Sequence, residues 1–387
     1  MAGLIIFAVL TALYLIFVCC QWKNIQIGAA IMDAAGHFLA TNPHIALVPL
    51  IIYALILPVV AWYAAVNVFL YSCGTPYHEE RSMFAKLQET QETYAMFWIF
   101  MFGFFWIVAF LIAIQQFTVA ASAAIWYFTA GAESDANNDH EGGGVFKALG
   151  WAFRYHLGSL AFGALLIAIV TMLRVVFEYF AKKAEKLSGD NIIVKAVLCC
   201  VRCMLWCLDK CVKFITENAY VQVAISGCSF CDGAYNSFWM IIRNAGTYSA
   251  MSVVGWIMTT IGKGVICGAS VWLTMVLAKE NVLVTYENGQ IQQPFVPAFL
   301  VLLVAWLVSS LFISIFDFSC LTILQCFLTC RESSSSGKIF APPALKEYLG
   351  QFKEDGEEFD DKPQKGDFDK IEKKGSGNDG KPNGMND

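Results

Sequence analysis

Arg154-Tyr155-His156-Leu157-Gly158-Ser159-Leu160-Ala161-Phe162-Gly163-Ala164-Leu165, continued by apolar residues to Phe180, is the stretch on which the reading of the fold turns. It has a short polar opening, two glycines five positions apart, and then a long hydrophobic run. About 20 apolar residues in a helix, rising 1.5 Å each, cross the hydrocarbon of a bilayer. Glycines at the opening of such a helix let neighbouring backbones come close. Working outward, further runs of the same length and composition recur along the chain. Of 387 residues, 57% are hydrophobic and only 15% are charged, against roughly 25% charged in a soluble domain. The fold class expected is an all-α polytopic membrane protein.

Six clear spans are expected, at 3–21, 45–72, 94–131, 157–180, 249–279 and 295–329, within a membrane domain of residues 1–330. The first has no basic residues ahead of it, so it reads as a retained helix and not a cleaved signal. Residues 25–40 are amphipathic and suit a helix at the interface or between other helices. The third span is too long for a bilayer, which predicts tilt, a bend or a break, with Gln115-Gln116 as the site of interruption. Residues 181–248 form a cysteine-rich amphipathic or re-entrant region. A crossing at 196–216 would bury several charges, and one at 218–242 would leave a basic stretch outside, against the positive-inside tendency. Residues 331–387 are rich in Ser, Lys, Asp, Glu and Gly, the composition of a disordered tail, expected on the cytoplasmic side.

Composition excludes several function classes. The net charge of -5 and the scattered basic residues give no nucleic-acid footprint. No nucleophile–base pair, carboxylate dyad or phosphate loop is present, so no enzyme is expected, and no cofactor. The 14 cysteines lie almost all within or beside hydrophobic segments, which argues against a disulfide framework. The Cys200/Cys203 and Cys228/Cys231 pairs have zinc-type spacing, but they lie among apolar residues where no closed polar loop exists, and no metal is assigned. Packing, or S-acylation of Cys199, Cys200, Cys203 and Cys207 near the cytoplasmic face, is the preferred reading.

The opening stretch resembles the central signature of the choline transporter-like family. Further matches follow in order. Arg174 with Glu178-Tyr179 fits that family's R-V-x-x-E-Y, and the run through Trp206-Cys207-Leu208-Asp209-Lys210 resembles its W-C-L-E-K with Asp for Glu. Asn218-Ala219-Tyr220, Gly227, Phe230-Cys231 and Arg243-Asn244 follow its N-A-Y pattern, and Gly262-Lys263 falls where it has F-G-K. Arg154, Tyr155, His156, Gly158, Ser159, Gly163, Arg174, Glu178, Asn218 and Tyr220 are therefore its signature positions here. Two departures stand out. The chain corresponds to the C-terminal half of typical members, so a shortened member is expected. Leu321 also stands where the family has an acid, with Asp317 one turn earlier.

The resemblance implies a secondary carrier for choline or related cationic amines, ethanolamine included, working by alternating access and open to proton coupling. The plasma membrane is the expected location, with an organellar membrane as the alternative. A carrier of quaternary ammonium needs ring faces for cation–π attraction, and Trp126, Tyr127, Trp106 and Tyr220 are the candidates, weighed against ordinary packing and interface roles. Lys263 and Asp317, counted from the ends of neighbouring spans, are expected at similar depth, as an ion-coupling or a structural pair. Arg174 and Glu178 are expected as a surface or interhelical ion pair. The alternative function is a non-transporting paralogue acting as a structural or assembly subunit with a membrane-protein partner.

Overall fold

Inside a bilayer the backbone's polar groups have only each other, and long apolar segments satisfy them as helices. The computed structural model describes residues 22–73, 75–77, 86–88, 90–131, 144–188, 191–279 and 295–333, together with Thr11 and Cys19. The order is α1 (Trp22–Thr41), a 3-10 turn (Pro43–Ala46), α2 (Leu47–Ser72), a two-stranded antiparallel ribbon of β1 (Thr75–Tyr77) and β2 (Lys86–Gln88), α3 (Gln91–Gly131), α4 (Gly144–Arg154), α5 (Leu157–Ser188), α6 (Ile192–Ser226), α7 (Phe230–Arg243), α8 (Ala245–Lys279) and α9 (Phe295–Ser333). The five segments Pro43–Ser72, Gln91–Thr129, Leu157–Leu187, Ala245–Ala278 and Phe295–Glu332 are long and apolar enough to span a membrane. The chain is a multi-pass membrane protein of the all-α class, with one short ribbon among the described residues. The expected span at 3–21 and the tail beyond Ser333 lie outside the described residues.

The third span is unbroken, a correction to the expected interruption at Gln115-Gln116. α3 runs 41 residues as one helix. Its glutamines do not turn back on their own backbone, and Gln116 reaches instead to Glu217 of α6. The excess length is accommodated by burial in protein, since Phe117, Ala120, Ala123 and Tyr127 are fully enclosed. α9 behaves alike: its first half exposes Phe295, Phe299, Leu303 and Leu307, while Ile323 to Leu328 are buried. The molecule thus has an outward apolar belt, made by α2, α8 and the first halves of α3 and α9, and a packed end where α1, α4 and α7 close around the remaining halves. α1 sits between helices, with Gly28 close against the Met251 backbone of α8.

α6 settles where the charges of the cysteine-rich region go. Asn191 caps it, accepting from the Ile193 amide at 3.0 Å, and Gly227 ends it in the left-handed conformation at φ 68°. It runs antiparallel to α5 over their whole shared length. Arg174 pairs with Asp209 at 2.7 Å midway along both helices, and Tyr220 bonds the Leu160 carbonyl near the start of α5. Arg202 bridges Glu178 at 2.9 Å and Glu185 at 3.0 Å. Arg174 and Glu178 therefore each pair across to α6 and not with each other. At the packed end, Arg243 grips Glu332 at 2.7 Å while Arg331 donates to Asn244, tying the α7–α8 elbow to the end of α9.

Candidate functional site

The polar side chains that the apolar bundle encloses gather where α3, α6, α8 and α9 meet. Asn218 is the hub. Its Nδ2 donates to the Phe214 carbonyl at 2.7 Å, and its Oδ1 accepts from Gln325 Nε2 at 2.7 Å and from the Tyr248 hydroxyl at 3.4 Å. Next to it on α6, Glu217 is half-buried and accepts a long hydrogen bond from Gln116 at 3.5 Å. Glu217 also lies within electrostatic reach of the phenols of Tyr220 and Tyr248. The ring of Phe214 meets Tyr248 edge-on at 5.7 Å.

The Oε1 atoms of Gln115, Gln222 and Gln325 are buried without a hydrogen-bond partner. Gln115 adjoins Gln116, and Gln222 is one turn beyond Asn218. An orphaned buried acceptor costs about 1–3 kcal/mol, so Gln325 Oε1, on the side chain that bonds the hub Asn218, is an unsatisfied negative dipole within the junction. With the Glu217 carboxylate also in the junction, the site suits a positively charged guest better than an anionic one.

The opening stretch of the sequence supplies one wall. A methyl group on Gly163 would lie 2.5 Å from the Tyr220 hydroxyl and 2.6 Å from the Phe230 ring. Glycine is what lets the Tyr220 ring lie against α5, with its hydroxyl donating to the Leu160 carbonyl at 3.1 Å. Gly158 has open space around it and makes no such approach. Of the other signature positions, Ser159 is half-buried, Arg154 lies over the Tyr155 ring at 5.8 Å, and His156 meets Phe117 at 5.1 Å.

The four aromatic candidates do not line one space. Trp106 donates its indole N–H to the Ala161 carbonyl at 3.1 Å, one residue along α5 from the carbonyl that Tyr220 bonds. Trp126 packs on His37 and Phe38 of α1, and Tyr127 is enclosed on α3 beside Cys326 and Cys330 of α9. Only Tyr220 borders the polar junction. Lys263 and Asp317 are on the neighbouring helices α8 and α9, but not at equal depth. Gly262 faces Ile313 and Cys267 faces Ser309, a register that sets Asp317 about one turn from Lys263. The Lys263 ammonium lies 5.9 Å from the Trp306 ring, and no ion pair joins it to Asp317 among the described residues. Cys199, Cys200, Cys203 and Cys207 are exposed, on the half of α6 away from the junction.

Glu217, Gln325 and Tyr248 escaped the reading of the sequence, and Gln116 was read only as an interruption of its span. Glu217 carried a usable signal, an ionisable residue directly before Asn218-Ala219-Tyr220 at the start of an apolar run. Gln325 carried none, because only the helix packing brings residues so distant in sequence together.

The family described as plasma-membrane choline transporter matches residues 5–332. The chain is 26% identical over 333 residues to choline transporter-like protein 2 of Dictyostelium discoideum, covering 86% of this chain and 51% of that protein. It is 32% identical over 254 residues to choline transporter-like protein 2 of Xenopus laevis, with 65% and 35% covered. To choline transporter-like protein 5 of Mus musculus it is 30% identical over 282 residues, with 72% and 38% covered. The chain spans about half the length, or less, of these relatives, which are named as transporters and not as enzymes. The signature positions from Arg154 to Tyr220 all fall inside the matched region, and the chain belongs to the plasma-membrane choline transporter family.

Proposed function

We propose that the chain carries choline or a related cationic amine across a membrane, the plasma membrane being the location its family suggests. The single observation that supports this from the molecule itself is the polar junction of four helices, where the Gln325 amide oxygen is buried without a donor and Glu217 supplies a carboxylate. Sites at the meeting of helix bundles are where secondary carriers hold their substrates. Ethanolamine is a second substrate of the same class, and Lys263 with Asp317 is the pair proposed for ion coupling. Uptake of labelled choline into vesicles containing only this chain is the test. Saturable uptake above empty vesicles, competed by unlabelled choline and by ethanolamine, is expected. Uptake equal to empty vesicles would overturn the carrier reading for the chain alone, and a stable membrane-protein partner on purification would then favour the assembly-subunit reading.

A further inference from the structure

We infer that Glu217 is the counter-charge that holds the substrate's cationic headgroup and so sets selectivity for charged over neutral substrates, an inference that rests on the carrier reading above. A buried acidic side chain is costly unless something compensates it, and the other acids of α6 and of the half of α5 that faces it are compensated. Asp209 is held by Arg174 at 2.7 Å and by Lys213 at 3.1 Å, while Glu178 and Glu185 share Arg202. Glu217 differs. No cation forms an ion pair with it among the described residues: Lys213, one turn back, is held by Asp209 and, with Lys210, acts on Glu217 only from a distance. Its one hydrogen bond is the long contact from Gln116.

The surroundings fit an organic cation better than a metal ion. The hydroxyl groups of Tyr220 and Tyr248 donate to the Leu160 carbonyl and to Asn218, so neither is directed at the carboxylate. That leaves aromatic rings near a negative charge, the combination that attracts a quaternary nitrogen, whose charge is spread over methyl groups that donate no N–H bonds. The orphaned amide oxygen of Gln325, at the Asn218 hub, adds an acceptor for the positive rim of such a group or for a substrate hydroxyl. Glu217 is half-buried where its neighbours Thr216 and Asn218 are enclosed, which leaves the carboxylate reachable from outside the core.

The test uses choline and 3,3-dimethylbutan-1-ol, in which a neutral carbon replaces the charged nitrogen at nearly the same shape. Binding of labelled choline to the purified full chain is measured separately from uptake, with each compound as competitor. The wild-type chain is expected to prefer choline by about tenfold or more, and Glu217→Gln to lose that preference by weakening choline binding while leaving the neutral competitor unchanged. A folded Glu217→Gln chain, judged by an unchanged melting temperature, that keeps the preference would overturn the inference. Carbodiimide labelling of Glu217 in the wild-type chain needs no substitution. Protection by choline and not by the neutral alcohol is expected, and labelling that is indifferent to choline would overturn the inference even where the variant fails to fold. Choline binding that depends on Glu217 without vesicle uptake would leave this site standing and remove the carrier reading alone.

Discussion

At the scale of single residues, Gly163 and Gly158 look equivalent in the sequence and are not equivalent in the fold. A Cβ on Gly163 would run into Tyr220 and Phe230 on two different helices, so neither neighbour can move without disturbing the α5–α6 contact. Overpacking of this kind costs typically about 1–3 kcal/mol, and Gly163→Ala is expected to lower the melting temperature and to weaken choline binding by displacing Tyr220. Gly158→Ala meets nothing within 4 Å and is expected to be neutral or slightly stabilising, because alanine is the better helix former. Thermal unfolding of both variants checks this, and equal losses would refute it. His156, at the turn between α4 and α5, gives a pH signature. Burial pushes its imidazole below the ordinary value, so the folded chain resists the proton that the unfolded chain accepts. The sign follows directly: stability declines as pH falls below the ordinary imidazole range. Melting temperatures of His156→Phe across that range are expected to vary less than those of the wild-type chain.

At the scale of elements, hydropathy showed where helices begin and end but not what they face. The runs at 45–72, 157–180 and 295–329 were legible because apolar length alone marks a spanning helix. α6 was not, since its charges look prohibitive until α5 supplies Arg174, Glu178 and Glu185 as partners along one side. Asp209 is buried to 3% exposure between two cations that are themselves partly exposed. Losing either cation alone leaves the other in place, so Arg174→Ala and Lys213→Ala should each cost about 1 kcal/mol or less. The double variant strands a buried carboxylate, a loss of about 3–5 kcal/mol, well beyond the sum of the single effects. Additive losses in chemical unfolding would show that Asp209 is compensated elsewhere. The same design applies to Lys263 and Asp317. Changing both to neutral residues is expected to restore part of the uptake that Lys263→Ala removes, and equal losses in single and double variants would show that the two act independently. The fold class and family signatures were thus readable from local pattern. The junction was not, since Gln116, Glu217, Tyr248 and Gln325 lie on four helices with no shared motif.

At the scale of the whole molecule, the antiparallel α5–α6 pair makes two expectations from the sequence mutually exclusive. The chain leaves α9 at Ser333, near the level at which Gln325 meets Asn218. Cys200 and Asn218 are on one continuous helix, 18 positions apart, which is about 27 Å at 1.5 Å per residue. That is close to the roughly 30 Å thickness of the hydrocarbon core. The eight residues from Gln325 to Ser333 are too short to climb back over that distance as helix, at about 12 Å. If α6 carries the chain across, the cysteines at 199–203 and the chain leaving Ser333 are expected at opposite faces of the membrane. If the tail is cytoplasmic, acylation of these cysteines from the cytoplasmic side is ruled out; if they are acylated there, the tail is on the other side. Sealed cells exposed to a membrane-impermeant maleimide decide between them, with an epitope placed after Asp387 probed by antibody in the same preparation. One of the two sites, and not both, is expected to react before the membrane is permeabilised. Reaction of both, or of neither until permeabilisation, would mean that α6 does not carry the chain across the membrane.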